Sequence, residues 1–117
     1  MHQGNKFTRK SFAVQGDWYT PLNTMKNEYK SIVYGEYVHT SSSCGDWEGF
    51  IIQKLGKTYY GIPFWQENLH HEIGFFSVDT GDVECTAATE IECRRLMETW
   101  FALGGLEGMI MYNDNTQ

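Results

Sequence analysis

At 117 residues, with 41% apolar and 15% aromatic side chains, the chain can form one domain burying roughly two-thirds of its unfolded surface without disulfide or metal staples. It is too aromatic for disorder. The formal charge of −6 divides into +3 over residues 1–30 and −9 over residues 31–117, which repels phosphate backbones and attracts a basic partner. No apolar run approaches the roughly 18 residues of a membrane span, and no secretory-signal core follows Met1. With three cysteines, an odd count, these features predict a cytoplasmic protein without membrane association or direct nucleic-acid binding.

Residues 6–14 read as a weakly patterned first strand, broken by Gln15-Gly16-Asp17-Trp18. Thr20-Pro21-Leu22 reads as extended or turn structure, because a residue before proline avoids the helical region. A short helical turn over residues 23–29, capped by Asn23 or Thr24, follows. Residues 31–39 make a second strand with Gly35 as a bulge or point of close approach, and residues 40–46 a loop of small polar residues.

The most legible pattern is a β-hairpin. Trp47-Glu48-Gly49-Phe50-Ile51-Ile52-Gln53-Lys54-Leu55 and Thr58-Tyr59-Tyr60-Gly61-Ile62-Pro63-Phe64-Trp65 are rich in β-branched and aromatic residues. Gly56-Lys57 between them suits a type II′ turn, which needs glycine at its first central position. The register then pairs Leu55 with Thr58, Gln53 with Tyr60, Ile51 with Ile62 and Phe50 with Pro63. One face carries Leu55, Ile51, Ile62, Tyr60 and Phe64, the other Phe50, Ile52, Pro63 and Trp65. Both are apolar, so both require cover, one by a helix and the other by a further element. Pro63, lacking a donor, predicts an edge strand or an end of pairing.

A polar loop over residues 66–72 leads to a fifth strand over residues 73–78. Asp79-Thr80-Gly81-Asp82 reads as a turn, with Val83-Glu84-Cys85 returning as that strand's partner. Thr89 and Glu92 form a T-x-x-E capping box. Cys93, Leu96, Met97, Trp100 and Phe101 make one apolar stripe at helical spacing, with Ile91 off it. Gly104-Gly105 is a left-handed cap, residues 106–112 a last strand, and residues 113–117 a frayed tail. The fold class is α+β over a single domain, 1–117: an antiparallel sheet of about five strands containing a central hairpin, with one amphipathic C-terminal helix packed on one face.

Chemistry-bearing motifs are sparse. Val78-Asp79-Thr80-Gly81 resembles the nucleophilic-water motif of retropepsin-like aspartic proteases, which pair two such aspartates around one proton. Asp82 stands where a small residue follows in that family, and no hydrophobic-hydrophobic-Gly element lies at a suitable distance. The geometry of a tight turn accounts for the same residues. Cys44 with His39, His70 or His71 is a candidate thiol nucleophile and base, and His70-His71-Glu72 with Cys44, Cys85 and Cys93 a candidate zinc site, but zinc-ligand spacing is absent. The sequence therefore points to no catalytic residue, metal or cofactor, and leans away from an enzyme.

Gly-Asp-Trp occurs at Gly16-Asp17-Trp18 and again at Gly45-Asp46-Trp47, making turns that anchor the strands after them. The surplus of aromatics marks a binding face with Trp18, Tyr19, Trp47, Tyr59 and Trp65 as candidates. Asp46, Glu48, Glu67, Asp79, Asp82 and Glu84 are the candidate acidic contacts. The expected function is a small acidic, non-enzymatic module that occupies a protein partner with a basic surface, as an inhibitor, adaptor or mobile-element antagonist does. The alternatives are an aromatic small-molecule pocket between helix and sheet, or a thiol- or metal-dependent small enzyme using Cys44 and the loop histidines. Self-association through the second apolar hairpin face is compatible with each.

Overall fold

The computed structural model describes residues 9–41 and 45–105. In chain order the elements are β1 (Ser11–Gln15), α1 (Thr20–Glu28), β2 (Ile32–Ser41), β3 (Asp46–Leu55), β4 (Thr58–His70), β5 (Phe75–Thr80), β6 (Cys85–Ala87) and α2 (Glu90–Ala102). The six strands form one sheet in the order β1-β5-β4-β3-β2, with β6 beside β4. All pairings are antiparallel. The α+β class is as expected, with one more strand and one more helix.

The β3–β4 hairpin has the register read from the sequence, from Leu55↔Thr58 through Ile51↔Ile62 to Phe50↔Pro63, and extends to Trp47↔Gln66. Gly56 takes φ +61°, and no described non-glycine residue has positive φ, as a type II′ turn requires. Each apolar face is covered. On one, α1 lays Leu22 and Met25 against Ile51, Ile62, Phe64 and Val78. On the other, α2 lays Cys93, Met97 and Phe101 against Phe50 and Ile52.

Helix α1 corrects the reading of Thr20-Pro21-Leu22 as extended structure. Pro21 lies in the first turn, where its missing N–H leaves no helical bond unmade and its fixed φ suits the helix. The entry is held by Asp17, whose N–H donates to Thr20 Oγ1 (2.9 Å) and whose carbonyl accepts from the Thr20 N–H (3.0 Å). Neither Asn23 nor Thr24 is the cap, because the helix starts earlier. Gly35 is a point of close approach: a Cβ there would lie 2.7 Å from Leu22 Cδ1. The register shifts of β2 fall elsewhere, between Ile32 and Tyr34 and between Tyr37 and His39.

Helix α2 starts at the expected capping residue, with the Glu92 N–H donating to Thr89 Oγ1 (3.1 Å). Cys93, Met97 and Phe101 are buried, whereas Leu96 is exposed. The stripe is therefore narrower than its spacing suggested. Gly104 and Gly105 both take positive φ. Met97 seats directly on Gly61, where any Cβ would collide with its side chain and with Cys85 Sγ.

Strand β4 differs most from expectation. It continues through His70, so residues 66–70 are strand and only residues 71–74 turn. Polar Gln66 stays in the ladder because it is buried and hydrogen bonded. Nor is β4 an edge. Its outer side pairs first with β6 at Tyr59–Gly61 and then with β5 from Phe64 onward. Pro63 sits at the handover, its carbonyl accepting from the Gly81 N–H (2.8 Å), so its missing donor falls where pairing is interrupted. Cys85 accordingly partners β4 and not the fifth strand, while Asp79 and Thr80 belong to β5. β1 begins at Ser11 and keeps Gln15. The expected strand over 106–112, the tail over 113–117 and Cys44 lie outside the described residues.

Candidate functional site

Alternation along β3, β4 and β5 decides which side chains share a face. Phe50 packs under α2, so Glu48 and Asp46, two and four residues before it, stand on the same side. Glu48 pairs with Trp65, and Trp65 pairs with Asp79. Glu67 follows two residues along β4. Helix α2 covers Phe50 and Ile52, and its Phe101 ring lies 5.9 Å from that of His39 at the margin of this end of the sheet. Trp65 remains 40% exposed.

A groove of about 450 Å³ occupies this uncovered end, lined by His39, Thr40, Asp46, Trp47, Glu48, Trp65, Gln66 and Glu67. The six-membered ring of Trp65 rests against Gly81, where a Cβ would lie 3.0 Å from it. Asp46 is tied down, its Oδ1 accepting from the Asn68 N–H (2.9 Å). Among the described residues the one side-chain ion pair is Arg9–Asp82 at 3.8 Å. Glu48, Glu67 and Asp79 therefore surround Trp65 without a cationic partner from that part of the chain.

On the opposite side of the sheet Trp18 stacks on Trp47, with ring centroids 4.7 Å apart and planes at 17°. Tyr19 meets Trp18 edge-on at 5.5 Å, and Tyr37 lies 5.0 Å from Trp47. A polar lock around the buried Gln66 amide holds this cluster. The Gln66 Nε2 donates to the Trp18 carbonyl (2.7 Å), and the Tyr37 hydroxyl lies 2.9 Å from both that carbonyl and Gln66 Oε1. Burial pushes the Tyr37 phenol up to about 12, so it stays a neutral donor.

The candidate aromatic residues thus divide in three. Trp18, Tyr19 and Trp47 come together beside α1, Trp65 stands on the α2 side, and Tyr59 packs at the far end near α2 with Lys54 Nζ 5.5 Å from its ring. Of the acidic candidates, Asp46, Glu48, Glu67 and Asp79 converge around Trp65. Asp82 faces Arg9, and Glu84 has its carboxyl raised by burial and by Asp82. Thr40, Gln66 and Tyr37 were not singled out from sequence, and His39 was named only as a partner for Cys44. Gln66 carried a readable signal, a polar residue at the core-facing position after Ile62 and Phe64.

Cys85 and Cys93 bring their sulfurs to 3.9 Å beneath α2. Burial, then the neighbouring Cys85, drives the Cys93 thiol up to about 12, and burial raises Cys85 as well. Both are poor nucleophiles at neutral pH. Among the described residues no three His, Cys, Asp or Glu side chains converge to hold a metal ion. No described helix is long and apolar enough to cross a membrane. No family model, curated protein or solved structure matches the chain.

Proposed function

We propose that the protein is a binding module that engages a basic surface of another protein through the acidic face around Trp65. The carrying observation is the set of three carboxylates, Glu48, Glu67 and Asp79, around a half-exposed tryptophan, with no ion pair to any of them among the described residues. Concentrating like charge on one sheet face opposes folding and favours capture of a positively charged partner. A symmetric dimer through this face would set the carboxylates against their own copies, which favours a different protein as occupant. The same charge repels a nucleic-acid backbone. The reading is of an inhibitor or adaptor acting in the cytoplasm, where unpaired cysteines are at home.

The test is binding to basic proteins and peptides as a function of salt. Affinity is expected to fall steeply as salt screens the face, and combined Glu48→Gln, Glu67→Gln and Asp79→Asn substitution is expected to abolish it. Binding unchanged by salt and by the triple substitution would reject the proposal. The groove's volume of about 450 Å³ favours a small cationic ligand as second reading, since ligand pockets span roughly 300–1,000 Å³. A thermal-shift screen of small amines separates the two.

A further inference from the structure

We infer that the group recognised at this face is an arginine side chain of the partner, its guanidinium stacked on Trp65 between Glu48 and Asp79. The inference rests on the binding-module reading above and narrows it to one chemistry. Trp65 offers a partly exposed indole whose ring is backed by Gly81. Its cross-strand neighbours on either side are Glu48 and Asp79, each about one strand spacing of 4.8 Å away, and Glu67 follows about 6.8 Å along β4.

A planar guanidinium can lie on the indole while its N–H edge donates to carboxylates beside the ring. An ammonium is a compact charge that cannot satisfy both demands in one plane. Among the described residues Arg9 is the cation nearest in register, and it pairs with Asp82 (3.8 Å). Among the described residues, Lys10, Lys54 and Arg94 lie over the rings of Tyr29, Tyr59 and Tyr34, and none lies over Trp65. The charge around the indole is thus complementary to an arginine from outside the described chain.

The experiment is calorimetric titration of the intact protein with three matched glycine-spaced peptides carrying arginine, lysine or citrulline. The arginine peptide is expected to bind most tightly, the lysine peptide more weakly, and the neutral citrulline peptide not at all. Trp65→Ala is expected to weaken the arginine peptide about tenfold, on the scale of a desolvated cation–π contact, and to erase its advantage over lysine. Trp65→Phe keeps a ring and is expected to retain part of that advantage, which guards against a folding defect in the alanine variant. Glu28→Gln, an exposed carboxylate on α1, serves as the control and is expected to leave binding unchanged. Equal arginine and lysine affinities, indifferent to Trp65, would overturn the inference while leaving the basic-partner reading intact. No binding of either cationic peptide at low salt would overturn both.

Discussion

The two faces of the sheet solve the same problem differently. Under α1, apolar cover is continued by an aromatic stack and a polar lock, so that Gln66 is as deeply buried as Ile51 and Ile62. Under α2, cover stops partway along the strands, and the remainder is a tryptophan among carboxylates with no ion pair among the described residues. Phe64 and Trp65 are consecutive residues of one strand, yet one is fully buried and the other 40% exposed. Burial on the first face maintains the fold, and exposure on the second leaves an indole and carboxylates open to solvent.

That contrast is broken most sharply at those two residues. Phe64→Ala removes a fully buried ring and is expected to cost about 3–5 kcal/mol, whereas Trp65→Ala is expected to cost well under half as much. Urea denaturation of both variants measures the difference; equal losses would place Trp65 in the core. Gly61→Ala comes next, because a methyl there meets Met97 and Cys85, and overpacking of this kind costs about 1–3 kcal/mol. Gln66→Leu strips partners from the Trp18 carbonyl and the Tyr37 hydroxyl, costing about 1–3 kcal/mol. Near-ultraviolet circular dichroism should register the disturbed Trp18–Trp47 stack, and an unchanged spectrum would dissociate the lock from the cluster.

Alkaline pH acts on both buried sides. Cys93 and Tyr37 are each pushed up to about 12, from ordinary values of 9.0 and 10.0. Their unfolded forms ionise first, so stability is fully present below about pH 9 and is lost progressively as pH climbs toward 12. Denaturation midpoints across that range, and resistance of Cys85 and Cys93 to alkylation at neutral pH, check the assignment. The smallest effect belongs to the open face. Neutralising Glu48, Glu67 or Asp79 singly is expected to raise stability by a few tenths of a kcal/mol, relieving like-charge repulsion, while weakening binding. A loss of stability instead would give these carboxylates a structural role.

The hairpin was legible because its turn, alternation and length all agree, and the C-terminal helix because its capping box and stripe coincide. What escaped the sequence depended on distant partners. Nothing local says that Pro21 opens a helix whose Leu22 lands on Gly35, or that β4 keeps its ladder through Gln66 because the Trp18 carbonyl awaits that amide. β6 is three residues long and exists because β5 leaves half of β4 unpaired. The acidic residues were individually visible, but their convergence follows from the β3–β4–β5 register. The aromatic candidates came apart for the same reason, since consecutive strand positions face opposite ways.

The face around Trp65 is the proposed recognition surface. Backbone amide chemical shifts, followed while an arginine-rich peptide is titrated into the intact protein, test it most directly. Perturbations are expected to concentrate at Glu48, Trp65, Glu67 and Asp79 and to collapse when salt is raised. Perturbations centred on the Trp18–Trp47 stack or on α2, with β3, β4 and β5 silent around Trp65, would contradict it.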